Sequence, residues 1–175
     1  MRKKIIAAVK GDICTALKSD TDIIFYLSPS IMDIEKIIDD VHNAGKKIFL
    51  HFDLAEGIGK DKAGLKFIKN LRIDGIISTR VNIIKTAKEL GIVTVQRFFI
   101  VDSHSIETTA EALKASKPDM IELMPGILPK VIKKIKEQTN IPIIAGGLIE
   151  TPEEAQVSFD AGASAVSTSN KELWK

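Results

Sequence analysis

The sequence predicts an α/β protein, a compact (β/α)8 barrel with short first and last helices. Two observations carry this. Eight short runs rich in Ile, Val and Phe recur along the chain, and the stretches between them space their apolar residues three and four apart, as amphipathic helices do. The strand runs do not alternate polar with apolar, which implies a parallel sheet covered on both faces. Eight successive βα units can close such a sheet into a barrel. An open doubly wound sheet is the alternative, because 175 residues are few for a barrel that typically needs about 250.

Taken in order, the runs are KIIAAVK from Lys4, DIIFYLS from Asp22, KIFLHFDL from Lys47 and DGIIST from Asp74. They continue with IVTVQRFFIV from Ile92, DMIELMPG from Asp119, IPIIAGGLI from Ile141 and SAVSTSN from Ser164. Each start lies one strand, one helix and two short loops from the next. The first helix, DICTALKS, is barely two turns. DIEKIIDDVHNAG begins at Asp33 as N-cap and stops at Gly45, and RVNIIKTAKELG stops at Gly91. TPEEAQVSFDAG offers Thr151 as N-cap, Pro152 at N1 and Gly162 as its stop. The last helix, KELW, is little more than a turn, with Trp174 expected against the barrel bottom or a partner.

Composition sets the outer bounds. Hydrophobic residues make up 45% of the chain and charged ones 27%, ample for one sizeable core, so residues 1–175 are read as a single barrel domain. A net charge of +2 excludes a strong global field toward nucleic acid or membrane, and polyanion binding would need a local patch. One cysteine, Cys14, forms no internal disulfide and has no histidine partner in its run, so it reads as packing rather than as a nucleophile. With no long apolar span and no leader, the expectation is a cytoplasmic protein without a membrane partner.

In a barrel, function belongs to the carboxyl ends of the strands. The polar residues there are Lys10, Ser28, His51, Asp53, Glu56, Thr79, Arg80, Gln96, Arg97, Asp102, Glu122 and the run Ser167, Thr168, Ser169 and Asn170. His51 alternates with Asp53 onto one face, either as a site residue or as a hydrogen-bonded barrel residue. Gly146 and Gly147 end the seventh run. The loops after strands seven and eight commonly form a phosphate site in barrels, with backbone N–H groups aimed at the anion. Glycines that let a ligand approach the backbone, next to the hydroxyls of Ser167, Thr168 and Ser169, fit such a cradle. A tight turn or close helix packing is the competing explanation.

Six segments together resemble one family. HFDLAEGIG from His51, DGIISTR from Asp74, VQRFFIVDSHSIE from Val95, IELMPGILPKVIKKI from Ile121, AGGLIET from Ala145 and STSNKELW from Ser167 are similar to the glycerol-uptake operon antiterminator family. The resemblance spans nearly the whole chain. It implies a (β/α)8 barrel that responds to glycerol 3-phosphate and acts on leader mRNA, preventing premature termination of glycerol-catabolism genes. On that reading glycerol 3-phosphate is an effector, there is no cofactor, metal or catalytic residue, and a homo-oligomer would widen the basic surface. Gly146, Gly147, Ser167, Thr168 and Ser169 would hold the phosphate, and Asp53, Arg97 or Glu122 the glycerol hydroxyls. Alternatively, Asp53, Arg97 and Glu122 pair with one another in the barrel mouth.

The sequence displays no RNA-binding signature of its own: no RNP-type run, no arginine-rich arm, and only seven Phe, one Tyr and one Trp. The best basic stretch, PKVIKKIKEQ, offers Lys130, Lys133, Lys134 and Lys136 as RNA contacts, or simply as a solvated helix face. The competing class is an enzyme acting on a phosphorylated substrate, an isomerase, lyase or transferase, with Asp53 and Glu122 as base and acid.

Overall fold

The structure is a computed structural model and describes residues 4–175. Eight parallel strands close into a barrel in chain order, β1 (Lys4–Val9), β2 (Ile23–Tyr26), β3 (Lys47–His51), β4 (Gly75–Ser78), β5 (Thr94–Phe99), β6 (Met120–Met124), β7 (Ile143–Gly146) and β8 (Ala165–Thr168). The ring is sealed by β8 against β1, with Ile6 opposite Ser167. Among the described residues, seven α-helices cover the outside: α1 (Cys14–Lys18), α2 (Ile34–Asn43), α3 (Lys62–Asn70), α4 (Val81–Glu89), α5 (Ser103–Ser116), α6 (Pro129–Lys136) and α7 (Pro152–Asp160). The barrel is the architecture found, and the open sheet is not.

The short chain is accommodated at the seam. The first helix has five residues, and the eighth is reduced to a 3₁₀ turn over Lys171–Trp174. Trp174 is buried against the outer side of the barrel beside β1 and α1, and its indole donates to the Thr168 carbonyl at 2.9 Å. Its carbonyl accepts from the Asp20 amide at 2.9 Å beside the amino-terminal ends of β1 and β2, so the tryptophan is packed at the barrel bottom as expected and is not free for a partner.

Why the strand runs are apolar throughout is visible in the packing. Ile6, Phe25, Phe49, Ile77, Val95, Ile144 and Ala165 fill the interior, and the Phe25 and Phe49 rings lie 5.7 Å apart. Their sequence neighbours, such as Ile24, Ile48, Ile76 and Ile143, face outward into two larger clusters beneath the helices. Gly75 belongs to this interior packing, since a Cβ there would stand 2.4 Å from the Phe49 ring.

The amino-terminal face of the barrel is built for stability. Asp74 accepts from the Ile48 amide at 2.9 Å, and Asp119 from the Thr94 amide and hydroxyl at 2.9 and 2.8 Å, so each carboxylate ties two neighbouring strands. Helix ends follow the predicted chemistry with one exception. Thr151 and Glu154 form a capping box with Pro152 behind them, and Gly45, Gly91 and Gly162 all take positive φ after their helices. Asp33 precedes α2 but its side chain makes no cap hydrogen bond.

Candidate functional site

A cavity of about 410 Å3 opens at the carboxyl ends of the strands. Its wall includes Ala8, Leu27, Arg97, Glu122 and Met124, the loop after β7 from Gly147 to Glu150, and the run Ser167 to Asn170. The sequence spacing brought those two loops to adjacent strands, and the barrel closes them onto one hollow.

Below the loops lies a buried polar unit. Arg97 on β5 and Glu122 on β6 are directly opposite in strand register, and the Arg97 Nε donates to Glu122 Oε2 at 2.6 Å. Ser167 Oγ donates to the other oxygen, Oε1, at 2.6 Å. Glu122 is fully buried and Arg97 nearly so, which makes the mutual pairing weighed from sequence the observed one for these two residues. Arg97 spends only Nε on the pair. Its two terminal nitrogens make no hydrogen bond among the described residues, on a side chain that lines the cavity.

Gly146 sits inside this unit. A Cβ on it would stand 2.5 Å from Glu122 Oε1 and 2.6 Å from Ser167 Oγ, so the missing side chain makes room for the Glu122 to Ser167 hydrogen bond. Gly146 and Ser167 are register partners, which explains the coincidence.

Gly147 plays a different part. It has φ +77°, the left-handed region that favours glycine, and Leu148 follows at φ +61°. The carbonyls of this loop are tied from several sides. Gly126 N donates to Gly146 O at 2.6 Å and to Gly147 O at 3.1 Å, Thr168 Oγ1 to Ile149 O at 2.7 Å, and Asn170 Nδ2 to Glu150 O at 2.6 Å. The amides of Gly147, Leu148 and Ile149 donate to no group among the described residues. Tying carbonyls while leaving consecutive amides unbonded is the backbone arrangement that suits an anion. The helix that follows adds nothing to it, because the Glu154 carboxylate takes the amides of Glu150 and Thr151 at 2.7 and 3.1 Å.

The hydroxyls divide the same way. Ser167 serves Glu122 and Thr168 holds the Ile149 carbonyl, while the Ser169 side chain makes no hydrogen bond among the described residues and lines the cavity. Of the five residues expected at a phosphate, Gly147 and Ser169 therefore present free groups, and Gly146, Ser167 and Thr168 shape the site.

Asp53 departs from its expected place. The chain leaves strand geometry after His51 and enters a 3₁₀ turn over Phe52–Leu54, so the alternation that put His51 and Asp53 on one face ends there. Asp53 instead accepts from Ser78 Oγ at 2.6 Å and from the Thr79 amide and hydroxyl at 2.7 and 2.9 Å. Burial would raise its carboxyl, but these hydrogen bonds outweigh it and hold the group below its ordinary value. It closes the turn after β4 rather than lining the cavity.

His51 is buried in the mouth with neither ring nitrogen hydrogen-bonded, contrary to the hydrogen-bonded barrel residue considered from sequence. Burial first, and the Arg97 charge second, push its imidazole from 6.5 to about 4, against the opposing pull of Asp53. Below pH 6.5 the unfolded chain takes up a proton that the folded chain refuses. Stability complete above pH 6.5 is therefore lost as the pH falls toward 4. Urea denaturation across that range should show the decline, and His51→Leu should flatten it.

The remaining expectations sort quickly. Gln96 faces outward to Ser116 of α5, and Asp102 caps α5, so neither belongs to the mouth. Cys14 is exposed at the start of α1 rather than packed, and its hydrogen bond with Asp12 pushes the thiol above its ordinary value. Lys130, Lys133, Lys134 and Lys136 are all exposed on α6 without a salt bridge among the described residues. They do not share one line: Lys130 and Lys134 border a cleft against α5, while the Lys136 stem lies beside Gly162 beyond α7. Sequence reasoning missed Gly126, Leu148 and Ile149, whose part depends on loop hydrogen bonds that no spacing encodes.

The fold is a (β/α)8 barrel whose cavity gathers polar groups at the carboxyl ends of β5 to β8. Within that fold class the chain belongs to the glycerol-3-phosphate responsive antiterminator family, whose model matches residues 5–174. It is 38% identical over 173 residues to the uncharacterized protein YgcP of Escherichia coli K12, covering 97% of this chain and 91% of that one. Two crystal structures are close. A glycerol uptake operon antiterminator regulatory protein from Listeria monocytogenes superposes with a TM-score of 0.93 at 35% identity, over 99% of this chain and 96% of the other. A glycerol uptake operon antiterminator-related protein from Thermotoga maritima gives 0.89 at 34% identity, over 99% of both chains. No helix among the described residues is long and apolar enough to cross a membrane.

Proposed function

We propose that the cavity binds glycerol 3-phosphate without transforming it, and that the occupied protein acts on the leader mRNA of glycerol-uptake genes as an antiterminator. The family description and the printed names of the two structural relatives support this reading. The observation that carries it is the loop after β7, whose carbonyls are tied while the amides of Gly147, Leu148 and Ile149 stay unbonded beside Ser169. Those amides and the Ser169 hydroxyl would hold the phosphate, and the free terminal nitrogens of Arg97 would supply the compensating charge.

Chemistry on the ligand is disfavoured by the state of the carboxylates. Glu122 has one oxygen on Arg97 and the other on Ser167, and Asp53 is turned to Ser78 and Thr79. A general base must lie within reach of the proton it abstracts: Asp53 is outside the cavity lining, and Glu122 is committed to an ion pair with Arg97 that taking up a proton would break.

RNA contact is assigned to α6, where four unpaired lysines stand exposed. In a gel-shift titration with structured leader RNA, glycerol 3-phosphate should tighten binding, and Lys130→Ala with Lys134→Ala should weaken it. Each phosphate contact removed should flatten the dependence of log K on log salt by about 0.7 to 0.9. Absence of RNA binding at low salt with ligand present would refute the antiterminator reading.

A further inference from the structure

We propose that His51 forms a second subsite beside the cavity, which reads a hydroxyl group at the end of the ligand remote from its phosphate. The inference rests on the reading of the cavity as a phosphate-ester site.

Topology places the two ends of such a ligand. In a ring of eight strands in chain order, β3 lies across the barrel from β7, so a ligand anchored at the loop after β7 extends toward the end of β3. His51 is the last residue of β3 and follows Phe49 by two, on the face that packs the barrel interior. Its register partner on β4, Ile77, is interior too. The floor between the two ends is paved by Ala8 and Leu27 from β1 and the end of β2.

The state of the side chain supplies the chemistry. His51 is 6% exposed and lies behind the cavity lining, within electrostatic reach of the lining residue Arg97, and neither Nδ1 nor Nε2 has a hydrogen-bond partner among the described residues. Buried polar atoms in folded proteins are nearly always satisfied, so a buried imidazole with both nitrogens unpartnered marks a place where a partner arrives. A neutral imidazole is one donor and one acceptor, which matches a hydroxyl group. Arg97 and Glu122 do not offer that pair: Arg97 only donates, and Glu122, paired with Arg97, only accepts. Protonation does not complicate the match near neutrality, since burial and Arg97 keep the ring uncharged there.

The test is a calorimetric titration of the full chain with glycerol 3-phosphate and with propyl phosphate, which lacks both hydroxyls. The wild-type protein should prefer glycerol 3-phosphate by about tenfold or more, the worth of one or two satisfied hydrogen bonds. His51→Leu should erase most of that preference by weakening glycerol 3-phosphate alone, with propyl phosphate affinity and ligand-free thermal stability not reduced. Nitrogen NMR of the wild-type imidazole gives a readout independent of any variant: its ring nitrogens should shift with glycerol 3-phosphate and not with propyl phosphate. Equal loss of both ligands in His51→Leu, or ring nitrogens indifferent to the hydroxyls, would overturn the proposal. Wild-type protein that binds both esters equally removes the subsite while leaving the phosphate site standing. Protein that binds neither overturns the phosphate reading itself, and the subsite with it.

Discussion

Glu122→Ala should lower the unfolding free energy by about 3–5 kcal/mol, the usual cost of stranding one member of a buried ion pair. The substitution leaves the Arg97 guanidinium charged and nearly buried with its Nε unpaired, and it releases Ser167 as well. Chemical denaturation measures it directly. Glu122→Gln separates shape from charge: it fills the same space and still offers Ser167 an acceptor, so it should retain part of the stability but not the ion pair. Because Arg97 is fixed by this carboxylate, both variants should also weaken binding of a phosphate ester. Paired losses in stability and affinity would show that the unit beneath the cavity sets its geometry.

Gly147→Val should abolish binding of glycerol 3-phosphate while leaving the barrel folded. The backbone there has φ +77°, where a β-branched residue is strained by roughly 1–3 kcal/mol. Space is not the obstacle, since a Cβ would meet only Met124 at 3.4 Å, an ordinary contact. The strain would relax by turning the peptide and moving the amides of Gly147 and Leu148 away from the ligand. A loss of about a hundredfold in affinity corresponds to roughly 2.8 kcal/mol. Titration calorimetry measures the affinity and thermal unfolding the fold. Normal binding by this variant would remove the loop from the site.

The two glycines illustrate what the sequence could and could not disclose. Their position at the end of the seventh run, beside the Ser167 to Asn170 run, was enough to locate the cavity wall, because parallel βα order makes β7 and β8 neighbours. That they do different work was hidden. Gly146 clears space for a side chain from β6, a residue far away in sequence, and only barrel register reveals it. The same limit applies to Arg97 and Glu122: their residue types suggested a pair, but their direct opposition is a property of the β5 to β6 register.

Asp53 and His51 show where strand periodicity fails. Alternation is a sound guide only while the chain stays extended, and the 3₁₀ turn at Phe52 redirects the carboxylate to Ser78 and Thr79. The fold class itself was the most legible feature. Buried parallel strands demand continuous apolar runs, and eight of them at βα spacing admit few other arrangements. The single turn over Lys171–Trp174 after β8 was legible too, as KELW is little more than a turn.

Phosphorus NMR of glycerol 3-phosphate titrated with the protein tests the central claim most directly. The expected result is a saturable shift of the phosphate resonance at one site per chain, with the ligand recovered chemically unchanged after prolonged incubation. A resonance unaffected by excess protein, or the appearance of a new phosphorus species, would contradict it.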